Sequence, residues 1–456
     1  MQSGMGDTIY ALSSGPGRSG VGVVRLSGTG VRQALETMIG MVPPARQAVL
    51  KAIRDRNGLL IDHGIVLYFK APNSFTGEDC AEFQVHGSRA VIAALYEALS
   101  QLPDFRLAEA GEFTRRAFVN GRIDLTAAEG LSDLIAAETE EQRRAALAQA
   151  SGRLRAKYDD WAARLTHARA LVEAELDFSD EEDIPGSVST RIWSDMAVLR
   201  EEIAQHLKEA RSGEIIRDGF TVVLAGPVNA GKSSLLNAIA RRDVAIVSEE
   251  AGTTRDLVSV DLDLEGYLVR LVDTAGLRET SGAVEQEGIR RAISAITSAD
   301  LVLQLIPADD PSWRRGAGPE RDHRVIEPQK EVIRLLSKAD LVAEDMLARY
   351  RDQSGADICL SVHSGRGIGE LIRRIGESVS AHVHADLDIA PTRERHRSLL
   401  ISASQQLDNA LAGGDLPLEI RTEYLRAAAS HLGRITGRVD IEDVLDVIFA
   451  EFCVGK

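Results

Sequence analysis

The sequence has few cysteines, and they are far apart. Cys80, Cys359 and Cys453 are the three in 456 residues, and no two of them have the spacing of a metal-binding pair. Disulfide frameworks are typical of small secreted domains, whereas this usage fits a reducing compartment. The sequence therefore indicates neither a cysteine metal site nor a disulfide scaffold.

The sequence also lacks a long apolar run. Residues 1–20 contain no positively charged segment followed by an apolar core, as a secretory signal would, and no later run has the length that crosses a bilayer. Cys453 stands where a prenylated cysteine would, but Gly455 and Lys456 do not suit that motif. We therefore expect a cytoplasmic protein without a membrane partner.

Basic residues are fewer than acidic residues, 53 against 69, and aromatic residues make up 4% of the chain. The formal net charge is −16 and the hydrophobic fraction is 44%, which is ordinary for a globular protein. A chain this acidic repels nucleic acid as a whole, so RNA binding needs a local basic surface or a partner. The arginine-rich segment Arg421–Arg438 is a candidate, and a solvated helix face is an equal alternative. The length predicts two or three domains.

Residues 220–237 have the pattern of a phosphate-binding loop between a strand and a helix. Gly226 and Gly231 let successive N–H groups point inward, Lys232 can reach terminal phosphates, and the Ser233 hydroxyl suits a Mg²⁺ site. A simple glycine turn is the alternative. The residues predicted to contact phosphate here are Asn229, Ala230, Gly231, Lys232, Ser233 and Ser234.

Two further motifs follow in the order found in a GTPase. Asp273 is expected to hold Mg²⁺ through water, and Gly276 to sense the γ-phosphate. Thr254 is the expected second Mg²⁺ ligand, beside Ser233. The other residues predicted to contact GTP in these two segments are Ser248, Glu249, Glu250, Ala251, Gly252, Thr253, Thr274 and Ala275.

The element that reads guanine is expected to be Asn-Lys-x-Asp, and this chain has Ser337, Lys338 and Asp340 there, with Ser361 in a following base-capping loop. The first position departs from the pattern. A carboxylate accepts from guanine N1–H and its amine, so Asp340 should carry base discrimination. Losing about one net hydrogen bond at Ser337 costs about 1 kcal/mol, which predicts weaker binding and fast exchange. A metabolic P-loop kinase is disfavoured because no substrate lid is evident.

The remaining segments indicate further domains. Residues 1–119 contain strand-like runs at Gly20–Ser27 and His63–Phe69 and a helix at Arg89–Leu102, while Asn73–Asp79 and Gly111–Arg122 look like polar loops. Residues 125–211 and 394–452 have the apolar spacing of long helices, and the simplest arrangement packs them together around an inserted nucleotide domain. The predicted domains are 1–119, 120–218, 219–379 and 380–456.

Within the nucleotide domain, alternation from Val258 to Leu264 predicts a strand that turns at Glu265-Gly266. The further predicted strands are Tyr267–Val272, Leu301–Ile306, Glu331–Leu336 and Asp357–Val362.

Five segments spread over the whole chain resemble the bacterial tRNA-modification GTPases called MnmE or TrmE. They are Gly20–Gly28, Asn73–Asp79, Gly111–Asn120, Asp273–Arg278 and Phe452–Lys456, the last with Val454 where the family has Ile. The resemblance implies a multidomain α/β plus all-α chain. Its expected parts are an N-terminal α+β domain that binds folate and dimerises, a discontinuous helical domain, and an inserted Ras-like P-loop G domain.

The resemblance also implies an activity. A homodimer would hydrolyse GTP and, in a heterotetramer with a FAD-dependent partner, add a (carboxymethyl)aminomethyl group at C5 of the wobble uridine of certain tRNAs. The carbon would come from 5-formyl- or methylene-tetrahydrofolate, with contacts by motif match at Arg25, Glu82, Arg122 and Lys456, the last on a tail expected to extend freely. Cys453 is either a nucleophile or a packed small residue. A ribosome-biogenesis GTPase is the alternative, and it leaves residues 1–119 unexplained.

The chain lacks the glutamine that orients water in Ras-like proteins, since Leu277 stands in that place. Resemblance points to Glu285 as the catalytic residue, and an exposed helix residue is the alternative. We further expect K⁺ near the phosphates, where it would offset developing charge. Closing the loop around K⁺ should link hydrolysis to dimerisation of G domains. The residues predicted to hold K⁺ are Asn229, Ser248, Glu250 and Thr253.

Overall fold

The computed structural model describes most of the chain and divides it into two compact units. The described residues are 6–15, 17–177, 187–246, 259–273, 290, 293–309, 330–383, 390–412, 416–439, 442–450, 452 and 454–455. The first unit comprises Met1–Ser132, Gln149–Ile192 and Asn409–Lys456, and the second comprises Asp133–Ala148 and Trp193–Asp408. Each unit contains one six-stranded sheet.

The described strands are β1 (Thr8–Leu12), β2 (Ser19–Gly28), β3 (Val49–Arg54), β4 (Leu60–Phe69), β5 (Cys80–Gly87), β6 (Phe105–Leu107), β7 (Phe220–Ala225), β8 (Ser259–Leu264), β9 (Tyr267–Asp273), β10 (Leu301–Pro307), β11 (Glu331–Ser337) and β12 (Ile358–Cys359). The described helices are α1 (Val31–Ile39), α2 (Arg89–Ser100), α3 (Glu112–Val119), α4 (Leu125–Ala136), α5 (Glu140–Ala150), α6 (Arg153–Asp177), α7 (Ser187–Asp218), α8 (Lys232–Ala240), α9 (Glu344–Ser354), α10 (Ile368–His382), α11 (Glu394–Ala412), α12 (Leu418–Thr436) and α13 (Glu442–Ala450).

The sheet of the first unit has the order β3-β4-β5-β2-β1-β6, and its described pairs are antiparallel except β1 with β6. Alternation along β2 explains its two faces, since successive side chains of a strand point to opposite sides. Val24 and Leu26 are buried in a core with residues of α1 and α2. The opposite face carries Arg25, and it is this face that presents a candidate site.

One sequence prediction in this unit is wrong. Residues 111–122 are not a polar loop, because helix α3 occupies most of them and buries Phe113, Thr114 and Ala117. Gly111 precedes the helix with φ 67°, a backbone conformation that glycine adopts readily. The charged side chains of α3 are engaged in ion pairs, which explains why a helix could look like a loop. The loop predicted at residues 73–79 is confirmed.

Helices α6 and α12 pack against each other in the first unit. Tyr158, Trp161 and Leu165 of α6 are buried, as are Leu425 and Leu432 of α12. The predicted packing of the two helical segments is therefore confirmed for this pair. The acidic turn beyond Asp177, and the Gly413-Gly414 break, lie outside the described residues.

The sheet of the second unit has the order β12-β11-β10-β7-β9-β8, with every described pair parallel except β8 with β9. The predicted hairpin is confirmed: Glu265 and Gly266 have φ 56° and 89°, as a two-residue hairpin turn requires. Strand β12 is shorter than predicted. Because the strands are parallel, the carboxyl ends of β7, β9, β10 and β11 lie at one edge, where such sheets bind ligands.

Candidate functional sites

The loop between β7 and α8 has the backbone that a phosphate-binding loop needs. Gly226, Asn229 and Gly231 have φ 144°, 65° and 96°. A Cβ on Gly226 would lie 2.7 Å from the carbonyl oxygen of Leu305, so a larger residue would collide with β10. The loop ends at the first turn of α8, where backbone N–H groups and the helix dipole favour an anion.

Lys232 begins α8 and is held against this loop. Its Nζ donates to the carbonyl oxygens of Gly226 and Pro227, both at 2.9 Å, and the residue is buried. Burying an ammonium group is costly unless it is paired or hydrogen-bonded. The loop therefore keeps a positive charge where terminal phosphates would lie.

Ser233 and Asp273 meet beside the lysine. Ser233 Oγ donates to Asp273 Oδ2 at 2.6 Å, and the pairing of Leu224 with Asp273 in the β7–β9 ladder brings the two together. Asp273 is 2% exposed. Hydroxyl and carboxylate oxygens are the ligands that Mg²⁺ prefers, so this pair fits the predicted metal site, whereas Thr254 lies outside the described residues.

The predicted base-reading segment follows β11. Ser337 Oγ donates to the Ala230 carbonyl oxygen at 2.7 Å, which joins this segment directly to the phosphate loop. Lys338 has φ 56°, and its Nζ lies 2.8 Å from Oδ2 of Asp309, two residues beyond the end of β10. The segments predicted to bind base and phosphate are thus brought together at the carboxyl edge of the sheet.

Asp340 is oriented by the predicted base-capping loop. The buried Ser361 donates its Oγ–H to Asp340 Oδ1 at 2.6 Å. This hydrogen bond holds the pKa of Asp340 below its ordinary value. A lowered pKa keeps the carboxylate ionised, which is the form that accepts hydrogen bonds from guanine.

Several predicted residues lie outside the described part of the chain. They are Ser248, Glu249, Glu250, Ala251, Gly252, Thr253, Thr254, Thr274, Ala275, Gly276, Glu285, Cys453 and Lys456. Of the predicted K⁺ ligands the structure describes Asn229, whose side chain is exposed and whose backbone is left-handed.

The second predicted site lies on the first sheet. Arg25 of β2 pairs across the ladder with Glu82 of β5, and its Nε and Nη2 donate to Glu82 Oε1 at 3.1 and 3.0 Å. The Arg25 guanidinium also lies 5.6 Å from the ring centre of Phe75 and 5.9 Å from that of Phe113. Such contacts fix a cation over an aromatic surface.

Arg122 reaches the same loop that carries Phe75. A Cβ on Gly77 would lie 3.2 Å from Arg122 Cγ, and Asn120 Nδ2 donates to the Thr76 carbonyl oxygen at 2.7 Å. Residues 73–79 therefore connect Arg25 with Arg122, the two predicted folate-binding arginines.

The residues before Lys456 are docked, so the expectation of a freely extended tail is wrong for them. Val454 forms an antiparallel bridge with Ala110, and Ser13 Oγ donates to the Gly455 carbonyl oxygen at 2.7 Å. A Cβ on Gly455 would lie 2.1 Å from the Leu12 carbonyl oxygen. This close approach requires glycine.

A charged network that no sequence motif predicts lies behind the loop of residues 73–79. Arg116 pairs with Asp7 at 2.7 Å, Glu112 at 3.1 Å and Glu78 at 3.2 Å, while Arg106 pairs with Asp7 at 2.6 Å and with Glu112. Burial opposes ionisation of Asp7 and Glu112, but hydrogen bonds from the two arginines hold the pKa of both carboxyls below the ordinary value. The charge density around α3 was the available signal.

The candidate basic segment is largely engaged within the protein. Arg421 is buried and its Nε donates to the Ala410 carbonyl oxygen at 2.8 Å, while Arg438 pairs with Asp159 at 2.6 Å. Arg426 pairs with Glu423 on the same helix. These contacts favour a structured helix face over an RNA-binding surface.

The described residues contain neither a cluster of metal-ligating side chains nor a helix that could span a membrane. Among them, no three His, Cys, Asp or Glu side chains are grouped to hold a metal ion. His86 instead lies 3.0 Å from Asp62. In the same part of the chain, no helix is long and apolar enough to cross a bilayer.

Two family models match the chain. The MnmE helical domain matches residues 125–453, and the GTP-binding protein TrmE N-terminus matches residues 8–122. A tRNA modification GTPase MnmE of Rhizobium johnstonii is 54% identical over 99% of both chains. The chain belongs to the MnmE family. A MnmE of Rhizobium etli is 52% identical, again over 99% of both chains.

Membership of the MnmE family confirms the predicted fold class and the assignment to the GTPases. Among solved structures, Era of Aquifex aeolicus bound to GDP and AlF₄⁻ has a TM-score of 0.28 at 23% identity, covering 41% of this chain and 66% of that one. The G domain of the T. maritima FeoB iron transporter has a TM-score of 0.26 at 23% identity, covering 36% and 99%. The domain boundaries and the site residues stay predictions.

Proposed function

We propose that this protein hydrolyses GTP to support modification of tRNA at C5 of the wobble uridine. It acts as a homodimer, together with a FAD-dependent partner in a heterotetramer, in the cytoplasm. The added (carboxymethyl)aminomethyl group takes its carbon from 5-formyl- or methylene-tetrahydrofolate. The family supports the tRNA-modifying GTPase part, and the sites support the folate and nucleotide parts.

The observation that carries the folate assignment is the Arg25–Glu82 pair beside two aromatic rings. A pterin ring presents neighbouring N–H groups, and a carboxylate such as that of Glu82 can accept hydrogen bonds from them. Phe75 and Phe113 offer apolar surface for a flat ring. Arg122 would bind a folate carboxylate, since a guanidinium forms paired hydrogen bonds with carboxylates, and Lys456 would bind another polar group.

In the nucleotide site the predicted side chains divide the work. Lys232 would offset phosphate charge, and Ser233, Thr254 and Asp273 would hold Mg²⁺. When bound, that ion would supply positive charge near the terminal phosphates. Asp340 accepts from guanine, and Ser361 keeps that carboxylate oriented and ionised. Glu285 places the attacking water, and Asn229 contributes to a K⁺ site with Ser248, Glu250 and Thr253.

The test is reconstitution with the full chain. It is mixed with the FAD-dependent partner, unmodified tRNA, GTP, K⁺ and methylene-tetrahydrofolate, and the nucleosides are separated by mass. The modified uridine should form when all components are present and be lost when folate or GTP is omitted. GTP turnover stimulated by ribosomes, without modified uridine or bound folate, would instead support the ribosome-biogenesis alternative.

A matched pair of variants separates the two sites. Arg25→Ala should abolish folate binding and tRNA modification while GTP turnover continues, because Arg25 lies on the other sheet. Asp340→Asn should lose GTP binding while folate binding remains. If Arg25→Ala binds folate as tightly as the unchanged protein, the folate site is wrongly placed.

A further inference from the structure

Ser337 stands at the position where the base-reading motif has asparagine, yet its hydroxyl is bonded to the phosphate loop. Ser337 Oγ donates to the Ala230 carbonyl oxygen at 2.7 Å. Ser337 is 3% exposed and Ala230 is fully buried, so water competes little for this bond. A serine hydroxyl carries one proton, and Ser337 donates that proton in its hydrogen bond to the Ala230 carbonyl oxygen.

This geometry limits what Ser337 can do for the base. Asp340 would accept hydrogen bonds from guanine N1–H and the amine. The neighbouring edge of the base presents N7 and O6, which are both acceptors. A side chain must donate to bind either of them. Since the single proton of Ser337 is already donated to Ala230, its hydroxyl has no donor for guanine.

The same geometry gives Ser337 a different effect. The Ala230 carbonyl belongs to the peptide group whose N–H is that of Gly231, and in a planar trans peptide these two groups point in opposite directions. Fixing the carbonyl therefore fixes the direction of the Gly231 N–H. The flanking Asn229 and Gly231 have φ 65° and 96°, and a left-handed non-glycine residue such as Asn229 persists where its surroundings hold it.

Ser337 is itself well anchored. It is the last residue of β11, opposite Pro307 in the ladder with β10, and its carbonyl oxygen accepts from the Ala308 N–H at 2.9 Å. The hydroxyl therefore extends from a rigid strand end to the phosphate loop.

We propose that Ser337 is a positioning residue that ties the phosphate loop to β11 and acts on phosphate binding, not on base recognition. The inference rests on the proposed GTP function and changes the role of one residue within it. It explains how this chain retains a connection between base and phosphate segments without the usual asparagine.

The test compares GDP with 7-deaza-GDP, which lacks the N7 acceptor, by calorimetric titration of the full chain in Mg²⁺. Ser337→Ala should weaken both ligands equally, by about fivefold, as expected for one hydrogen bond. The ratio of the two affinities should stay within about twofold of that of the unchanged protein. Asp340→Asn is the control for base reading, and it should exchange a preference for GDP with one for XDP.

Two results would overturn the inference. One is a penalty for 7-deaza-GDP in the unchanged protein that disappears in Ser337→Ala, since this would show that the hydroxyl contacts N7. The other is unaltered GDP affinity in Ser337→Ala. If Ser337→Ala does not fold, Ser337→Cys takes its place in the comparison of GDP with 7-deaza-GDP. Cysteine is close to serine in volume, and its S–H is only a weak donor. Failure of the unchanged protein to bind GDP would refute the proposed function itself.

Discussion

At the residue scale, the proposed base recognition depends on one carboxylate, that of Asp340, and on the Ser361 hydroxyl that donates to it. Asp340→Asn replaces an acceptor oxygen with a donor amide, so the side chain should repel the amine of guanine and donate a hydrogen bond to the oxygen that xanthine has in its place. We expect GTP affinity to fall by at least tenfold and XTP binding to appear, as measured by titration with GTP, ATP and XTP. Equal binding of GTP and ATP by the unchanged protein would show that residues 337–340 do not read the base.

Lys338 is directed by an acid that the motif does not include. Its Nζ is 2.8 Å from Asp309 Oδ2, and both side chains are partly exposed. Because exposed ion pairs contribute about 0–1 kcal/mol, Asp309→Ala should weaken GDP binding by no more than about fivefold. Asp345→Ala, on the exposed first turn of α9, is the control. A tenfold or larger loss in Asp309→Ala would show that Asp309 has a further role in the site.

The catalytic residue can be tested in the same way. Glu285→Ala should lower GTP turnover strongly while GTP affinity changes only a few-fold, because a residue that places water acts on the transition state and not on binding. Single-turnover hydrolysis measures the first quantity and titration the second. An unchanged turnover number would exclude Glu285 from the mechanism.

Sequence could predict the residues that form contiguous motifs, and not the partners they meet in space. Lys232, Ser233 and Asp340 can be proposed from the sequence because their spacing is a local property of the chain. The bond from Ser337 to Ala230 depends on how β11 lies beside the phosphate loop. The network of Asp7, Glu78 and Arg116 joins residues that only the folded sheet brings together.

At the scale of elements, helix α3 is fixed by charge as much as by its apolar face. Arg116 is 13% exposed and pairs with three carboxylates. Arg116→Ala should lower the free energy of unfolding by about 2 kcal/mol at pH 7, since it removes the charged hydrogen bonds to Asp7, Glu112 and Glu78. Arg106 still pairs with Asp7 and Glu112, so the loss should be smaller than for a fully unpaired buried charge. Arg115→Ala is the matched control, because Arg115 pairs with the exposed Asp446 and should cost less than about 1 kcal/mol.

The pH dependence of this loss follows from the carboxyls. The pKa values of Asp7 and Glu112 are lowered in the folded protein, so their stabilising effect is present above the unfolded value of about 4 and is lost as the pH falls through the lowered values. Urea denaturation should therefore show a smaller difference between Arg116→Ala and the unchanged protein at about pH 3 than at pH 7, since the window of loss lies below the unfolded value of about 4. Equal differences at both values would contradict this account.

Several elements escaped sequence analysis for identifiable reasons. Strand β6 has three residues, too few to show alternation. The polar residues of α3 resemble a loop because their ionic partners lie in other elements. Strands of the second unit were predicted well because β7, β9, β10 and β11 are apolar runs with a single polar or charged residue in the interior, close to the pattern of buried parallel strands.

The docked tail makes a further prediction for an element. Deleting residues 454–456 removes the bridge to Ala110 and the bond from Ser13, as well as Lys456. We expect tRNA modification to be abolished and GTP turnover to persist, because the second sheet does not use this segment. Loss of both activities in the deletion protein would indicate a general folding defect.

At the scale of the whole molecule, K⁺ should link hydrolysis to association of G domains. Replacing K⁺ with Na⁺ at constant ionic strength should lower GTP turnover at least tenfold, because the predicted site stabilises charge between the β- and γ-phosphates only when its loop closes. Sedimentation in GDP and AlF₄⁻ should show close association of G domains in K⁺ alone. Equal turnover in the two salts would refute the cation site.

The docking of Gly455 beside Ser13 has a consequence for the order in which the protein matures. The two residues are 442 positions apart, and a ribosome adding about 5–20 residues per second needs roughly 20 to 90 s to cover that distance. The first sheet can therefore fold on the nascent chain long before its last contact exists. A chain arrested during translation would carry a folded N-terminal sheet in which Ala110 and Ser13 still lack their C-terminal partners.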